Sequence, residues 1–258
     1  MSERSTSAPL VGQAAIVTGV GQSVGRAIAL RLAADGAHVL CADRDGAAAA
    51  EVRDEAISGG GEAEAAAVDV RARASLDQAV AQVLAANRRL SVLCNADTIA
   101  GDGYLLADLP EKAFDEVFGT NFLGVLYGCQ AAGRAMTAAG GGSIVNVISA
   151  TLDQSVPGSG SYAIANASVA LLTKVMAREV GSARVRVNAI AITPVDGSPG
   201  SYDVPGATDP DDPAALGVLG RAGVPDDVVG LAAFLASDAS AYLTGQTIRL
   251  SGGRTMQW

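Results

Sequence analysis

The chain has 258 residues, of which 49% are hydrophobic, and its formal net charge at pH 7 is −9. That length and apolar content fit a single α/β domain over residues 1–258 better than two smaller domains. The acidic balance excludes a nucleic-acid-binding surface, which requires a basic face, and no apolar run approaches the ~18 residues that a membrane span needs. Residues 1–9 are polar and are expected to form a disordered tail rather than a signal peptide, so a cytoplasmic protein is expected.

Short apolar runs alternate with segments of helical periodicity along most of the chain. The runs predict strands over residues 14–18, 38–42, 65–68, 91–94, 143–148, 185–190 and 247–250. Helices are predicted over 24–35, 47–57, 114–136 and 161–180, with another from a capping box at 75–78 to about 87 and a last one from Pro225. This alternation predicts a doubly wound Rossmann-type α/β fold, in which helices cover both faces of a parallel sheet.

Residues 193–217 interrupt the alternation with five prolines and several glycines. They are interpreted either as a mobile surface loop or as a mobile lid over a substrate site at the carboxyl end of the sheet. The two interpretations are compatible.

The cysteines and the single histidine give no sign of a metal site. Cys41, Cys94 and Cys129 share no paired spacing and lie in apolar runs, which predicts buried, reduced thiols rather than metal ligands. His38 is expected to open the second strand as a core or edge residue rather than to act as a catalytic base.

The turn after the first strand contains three glycines in the sequence TGVGQSVGR, residues 18–26. Such glycines allow the backbone to approach a pyrophosphate that lies at a helix N-terminus. Asp43 ends the next strand, where an acid can accept hydrogen bonds from an adenosine ribose and repel a 2′-phosphate. The pair favours NAD(H) over NADP(H), a preference that Arg44 could soften; the alternative is a helix-capping turn followed by a surface aspartate.

With its later segments included, the chain resembles the short-chain dehydrogenase/reductase family over nearly its full length. Besides the glycine turn, the matching segments are Asp69-Val70, Asn95-Ala96, Asn121, Ser149 thirteen residues before Tyr162, and residues 186–190 and 243–246. The resemblance implies a sheet of about seven strands. It also implies cofactor contacts at Gly19, Gln22, Ser23, Val24, Asp43, Asp69, Val70, Asn95, Ala96 and Thr193.

The resemblance also assigns catalytic roles. In such enzymes the tyrosine, here Tyr162, exchanges a proton with the substrate oxygen, the serine, here Ser149, positions that oxygen, and the asparagine, here Asn121, holds a water. A lysine one helical turn beyond the tyrosine binds the nicotinamide ribose and lowers the tyrosine pKa. Asn166 occupies that lysine position in this chain, on the same helix face as Tyr162.

The missing lysine has a calculable effect on Tyr162. A cation about 5 Å from a phenolate, at an effective dielectric near 20, is worth roughly 3 kcal/mol, or about two pKa units. The only lysines are Lys112 and Lys174, and Lys174 lies roughly 12 Å further along the helix. The activity is therefore expected to be weakened, because a lost acid–base group commonly lowers rates by about 10²–10⁴.

Four further differences from the family pattern lie on the expected cofactor side. Ser23 and Asp97 each replace a glycine, Ile192-Thr193 replaces Pro-Gly, and Ser251 replaces an aspartate. These changes are compatible with relaxed selection on the cofactor chemistry.

Two functions therefore remain open. One is an NAD(H)-dependent oxidoreductase that acts on a small alcohol or carbonyl substrate through Ser149 and Tyr162. The other is a catalytically silent subunit that retains the fold for binding or assembly. In either case the resemblance implies a homodimer or homotetramer, or a hetero-oligomer with an active relative, with helices 110–137 and 161–180 at the interface and Leu171 and Val175 partly buried there.

Overall fold

The computed structural model describes residues 9–86, 88–101, 103–153, 156–193, 195 and 217–256. Its seven strands form one sheet in the order β3-β2-β1-β4-β5-β6-β7, and every pairing is parallel. The strands are β1 Ala14–Thr18, β2 His38–Asp43, β3 Glu62–Ala67, β4 Leu90–Asn95, β5 Gly142–Ser149, β6 Val185–Ile192 and β7 Thr247–Leu250. The predicted doubly wound α/β fold is confirmed.

Helices cover both faces of this sheet. They are α1 Ser23–Ala34, α2 Gly46–Ser58, α3 Arg73–Ala85, α4 Glu111–Phe118, α5 Val125–Ala139, α6 Gly160–Val180 and α7 Pro225–Ala236. Apolar side chains of α1, α2 and α7 form one core cluster with the sheet, and those of α3, α5 and α6 form the other. Burial on both faces explains why the interior strands β1, β2 and β4 are mainly continuous apolar runs, whereas the edge strands β3 and β7 are less buried.

The strand order reverses between β1 and β4, which are neighbours in the sheet. In an open parallel sheet, such a reversal leaves a crevice at the carboxyl ends of the strands, because the following connections run to opposite sides. The glycine turn after β1 and the loop after β4 therefore face each other across this crevice.

Three predicted local features differ in the structure. The predicted capping box at Ser75 is wrong: α3 begins at Arg73 after Ala72, and the Ser75 hydroxyl instead accepts a hydrogen bond from the Asp69 N–H at 3.1 Å. The third strand begins at Glu62 and ends at Ala67, so Val68 lies beyond it. The long predicted helix 114–136 is divided by a π-helical turn, Gly119–Gly124, between α4 and α5.

Other expectations are met or lie outside the described residues. The three cysteines are free and buried. His38 opens β2, which is an interior strand, and is buried there with its Nε2 3.1 Å from Glu64. The tail 1–8 and most of the lid segment 193–217 lie outside the described residues. In the part of the chain that the structure describes, no helix is long and apolar enough to cross a membrane.

Candidate active site

The glycine turn packs closely against the loop that follows β4. Gly19 has a φ of 69°, and a Cβ at this position would lie 2.6 Å from the Asp97 backbone. Only glycine combines this left-handed backbone with so close an approach. The turn therefore fixes the distance between the β1 and β4 sides of the crevice.

Residues at the start of α1 line the crevice in different ways. The Gln22 side chain reaches across it and donates a hydrogen bond to the Thr98 carbonyl at 2.7 Å. The Ser23 hydroxyl is buried and has no hydrogen-bond partner among the described residues, although a buried hydroxyl ordinarily has one. The Val24 side chain belongs to the core, so only its backbone could contact a ligand.

Four of the predicted cofactor residues line a cavity of about 230 Å³ beside the turn: Gln22, Asp43, Asp69 and Val70. The Asp43 carboxylate accepts hydrogen bonds from the N–H groups of Gly21 at 2.8 Å and Asp45 at 2.9 Å. Asp69 accepts one from the Arg71 N–H at 2.9 Å. The cavity thus joins the ends of β2 and β3, and its acceptors suit a ribose and an adenine amine.

Asp97 adds a fourth carboxylate to the lining of this cavity, beside those of Asp43, Asp45 and Asp69. Burial raises its pKa from 3.8 to about 6, and the carboxylates of Asp43 and Asp69 add to the rise. The Arg44 guanidinium acts in the opposite direction. The groove consequently carries more negative charge at pH 8 than at pH 5.

Asn95 and Ala96 serve the scaffold behind the crevice. The Asn95 amide donates to Asn146 Oδ1 at 2.8 Å, and Asn146 Nδ2 donates to Thr173 Oγ1 at 3.0 Å. The Ala96 N–H donates to Thr18 Oγ1 at 3.2 Å. These buried bonds link β1, β4, β5 and α6, and they turn the Asn95 side chain away from the crevice.

Ser149, Tyr162 and Asn166 come together at the end of β5 and the start of α6, and each is less than a tenth exposed. Asn166 Oδ1 accepts a hydrogen bond from the Ser149 N–H at 2.7 Å, and its Nδ2 donates to the Tyr162 carbonyl at 2.8 Å. The amide thus joins the backbone of the serine to the helix that carries the tyrosine. Both the side-chain carbonyl and the side-chain NH2 group of Asn166, the residue at the lysine position, are therefore hydrogen-bonded.

Burial raises the pKa of the Tyr162 hydroxyl above its ordinary value. Hydrogen bonds with the side chains of Thr98, Ser149 and Asn166 lower it in part, and no cation is among the groups that shift it. Lys174 is exposed on α6, and the Lys112 side chain is 87% exposed beside Glu116. Neither lysine replaces the missing charge.

Asn121 holds the loop after β4 in place. Its side chain accepts from the Ile99 N–H at 2.9 Å and donates to the Ile99 carbonyl at 2.8 Å. Asn121 lies in the π-helical turn, a feature often found at functional sites. This pairing fixes the backbone beside Thr98, which reaches Tyr162.

Thr193 lies apart from the adenosine-side cavity. It lines a second cavity of about 450 Å³ that also includes Val195, Arg221 and Arg249. Arg249 forms a bidentate ion pair with Asp153, with N–O distances of 2.6 and 2.9 Å. Since Asp153 ends the turn that begins just after Ser149, this pair ties the serine loop to β7.

No sequence pattern predicted three further residues around this site: Thr98, Asp153 and Arg249. Asp153 and Arg249 are 96 positions apart, and no motif links them. Thr98 follows a recognised segment but has no signal of its own. Only the fold brings these residues to the crevice.

Comparison with known proteins gives consistent matches along the chain. A family model described as enoyl-(acyl carrier protein) reductase matches residues 19–255. The (3R)-3-hydroxyacyl-CoA dehydrogenase of Mus musculus is 36% identical over 255 residues, which cover 94% of this chain and 96% of the relative.

Solved structures match equally completely. A short-chain type dehydrogenase/reductase from Mycobacterium marinum superposes with a TM-score of 0.85 at 30% identity, covering 97% of this chain and 98% of the other. A 7α-hydroxysteroid dehydrogenase complexed with NADH and 7-oxo glycochenodeoxycholic acid gives a TM-score of 0.90 at 27% identity, covering 98% of both chains.

Proposed function

The chain belongs to the short-chain dehydrogenase/reductase family, and we propose that it is an oxidoreductase that transfers a hydride between NAD(H) and an alcohol or carbonyl substrate, with weakened catalysis. The observation that carries the proposal is the buried Tyr162 hydroxyl, which is hydrogen-bonded to Ser149. A tyrosine and a serine in contact can exchange a proton with a substrate oxygen and hold that oxygen in place.

The crevice residues fit a dinucleotide. Asp43 would hold the adenosine ribose, Asp69 and Val70 would contact the adenine, and the unpartnered Ser23 hydroxyl would donate to a phosphate oxygen. The Asp43 carboxylate favours NAD(H), because it would repel a 2′-phosphate. When bound, the nicotinamide ring supplies or accepts the hydride.

Tyr162 would act as the proton donor in reduction and the proton acceptor in oxidation. Its raised pKa makes the neutral phenol a weaker acid and leaves the phenolate scarce at neutral pH. Both effects slow proton transfer. Proton transfer by Tyr162 would still take place, but more slowly than in relatives that have the lysine.

A catalytically silent subunit is the second candidate, and the hydrogen bonding of Asn166 favours it. The Asn166 amide makes structural bonds to Ser149 and Tyr162. The Gln22–Thr98 bond spans the crevice, and Asp97 adds negative charge to the groove. Such a subunit would keep the fold for assembly with an active relative.

Either function is proposed to operate in an oligomer in the cytoplasm. Leu171 is 63% exposed and Val175 44% exposed on one face of α6, so these apolar side chains do not serve the internal core. A homodimer or homotetramer would cover them. Three free, buried cysteines are in keeping with a reducing compartment.

An NADH-binding assay followed by turnover measurements separates the two functions. We expect NADH to bind and to be oxidised slowly with a panel that includes 3-oxoacyl thioesters, ring ketones and small aliphatic ketones. NADH binding without turnover on any of these, at enzyme concentrations that would reveal a 10⁴-fold impaired catalyst, would favour the silent subunit. Absence of NADH and NADPH binding would refute the oxidoreductase proposal.

A further inference from the structure

A cavity of about 410 Å³ lies at the amino-terminal edge of the sheet. It is formed where β4, β5 and β6 begin and where α7 ends, and its lining includes Gly12, Gln13, Arg89, Ser91, residues 140–143, Arg184, Arg186, Ala236 and Asp238. Because the strands are parallel, this edge is opposite the one that carries Ser149. The length of β5 separates the two by roughly 23 Å.

Three arginines and one aspartate are the charged residues of the described lining: Arg89, Arg184, Arg186 and Asp238. The lining is therefore basic, although the whole chain has a net charge of −9. In this cavity the hydrogen bonds of Arg89 and Arg186 go to neutral groups. Arg89 donates to the Gly141 carbonyl at 3.0 Å, and Arg186 donates to Ser240 Oγ at 2.6 Å and the Ser237 carbonyl at 3.0 Å.

Seven other arginines in the described part of the chain form ion pairs with carboxylates, and three of them illustrate the contrast. Arg26 contacts Glu51, Arg134 contacts Asp77, and Arg221 contacts Asp227. No carboxylate of the described residues lies within 4.0 Å of the guanidinium groups in the cavity. Each guanidinium has five N–H donors, so several donors there remain available to an anion.

The half-buried Arg186 has the most to gain from an anion. Burial lowers the pKa of its guanidinium, and Asp238 opposes this only in part. A partly desolvated cation without a bound carboxylate is stabilised when an anion enters its surroundings.

The backbone of Arg184 is a second, independent observation. Arg184 has a φ of 62° and is the one residue other than glycine with a positive φ in the described part of the chain. The left-handed conformation costs a side-chain-bearing residue roughly 1–2 kcal/mol, whereas glycine adopts it freely. The unfavourable backbone conformation of Arg184 is consistent with a use for its guanidinium.

We propose that this cavity binds the phosphate group of a small phosphorylated metabolite, remote from the catalytic crevice. The paired N–H donors of a guanidinium match the spacing of two phosphate oxygens. The volume of the cavity suits a small molecule rather than a macromolecule. The proposal is independent of hydride transfer, and its failure would leave the proposed function unchanged.

Calorimetric titration of the full chain with inorganic pyrophosphate, at constant ionic strength set with potassium chloride, tests the site. We expect Arg184→Gly to weaken binding about tenfold or more, since a charge-assisted hydrogen bond is worth about 1.5–3 kcal/mol. Asp238→Asn should tighten binding a few-fold by removing the competing carboxylate. Without pyrophosphate, Arg184→Gly should melt at the same or a higher temperature, because glycine relieves the backbone strain.

Arg178→Ala is the matched control, because it removes an exposed arginine from α6 with the same change of net charge. Its binding should equal that of the unaltered protein. If the unaltered protein does not bind pyrophosphate, the proposal is wrong. It is also wrong if Arg184→Gly binds normally, which would place any bound pyrophosphate in the catalytic crevice, or if Arg178→Ala weakens binding equally.

Discussion

Two regions of the crevice each contain a departure from the family pattern. One is the catalytic pocket of Ser149, Tyr162 and Asn166, and the other is the adenosine-side groove lined by Asp43, Asp69 and Asp97. The structure accommodates the two departures differently. In the pocket, Asn166 replaces a cation, and both of its amide groups are hydrogen-bonded. In the groove, Asp97 replaces a glycine, and its pKa rises to about 6. The first change removes a positive charge and the second adds a negative one.

The difference shows that a substituted residue can fit its surroundings well and still change the chemistry of the site. Asn166 has polar partners and so fits the scaffold, whereas under the proposed mechanism Tyr162 lacks the activating charge of a lysine. Asp97 lies near the carboxylates of Asp43 and Asp69 as well as the Arg44 guanidinium, so its effect is electrostatic and depends on pH. Mutations in the two regions should accordingly change different quantities: turnover in the pocket, and cofactor affinity in the groove.

The largest effect is expected from Tyr162→Phe in the pocket. Removing the hydroxyl that exchanges the proton should lower turnover by about 10²–10⁴ while NADH affinity stays unchanged. Steady-state kinetics and NADH titration measure the two quantities. Tyr242→Phe is the control, because Tyr242 is fully exposed. Equal turnover in the two variants would mean that Tyr162 is not the proton-transfer group.

Asn166→Lys should raise turnover by as much as about 10²-fold, because a cation near Tyr162 is worth about two pKa units. The activity should also reach its alkaline maximum at lower pH, since the pKa of Tyr162 is now raised by burial. The variant loses the acceptor for the Ser149 N–H, which should lower the free energy of unfolding by about 1–3 kcal/mol.

A pH–rate profile and denaturant unfolding together measure these two effects. Asn166→Ala is the matched control, because it loses the same hydrogen bonds without gaining a charge. If the lysine variant folds and binds NADH but gains no activity over the unaltered protein, the pocket lacks more than one charge, and the silent-subunit proposal is favoured.

Asp43→Ala should change cofactor selectivity by about tenfold. The carboxylate no longer repels a 2′-phosphate, so the ratio of NADPH to NADH affinity should rise. Dinucleotide titrations measure this ratio, with Asp43→Asn separating the charge from the hydrogen bond to the Gly21 N–H. Tighter binding of NADPH than NADH by the unaltered protein would overturn the assignment.

The smallest effect is expected from Asp97→Asn. Asp97 is neutral below its pKa of about 6 and negative above it, so NADH binding should weaken as the pH rises from about 5 to 7.5. At pH 8 the variant should bind NADH roughly fivefold more tightly, as expected for removing about 1 kcal/mol of repulsion. Its affinity should vary less with pH, and an unaltered pH dependence would exclude Asp97 as the titrating group.

The same residue should affect stability with a defined sign. The pKa of Asp97 in the fold lies above its ordinary value of 3.8, so the folded state binds more protons than the unfolded state between the two values. The contribution of Asp97 to the free energy of unfolding should therefore fall as the pH rises from about 4 to 6, and Asp97→Asn should remove that fall.

The sequence by itself determined the sheet, the order of its elements along the chain and some of the residues of the crevice. Buried parallel strands require continuous apolar runs, and the turns between them require glycine at particular positions, so both leave a local pattern. The resemblance to the family, rather than these patterns, predicted that Ser149, Tyr162 and Asn166 lie together. The local pattern failed at Ser75, because the turn before α3 is closed by Asp69, whose hydrogen bonds a capping pattern does not reveal.

Tertiary structure alone decided what the site residues do there. The Asn166 amide is engaged because β5 ends beside the first turns of α6, and Asn95 faces inward because Asn146 lies opposite it in the sheet. The cavity of Arg89, Arg184 and Arg186 likewise requires three strands to begin at one edge. Such contacts join residues far apart in the chain, whereas periodicity and motifs record only near neighbours.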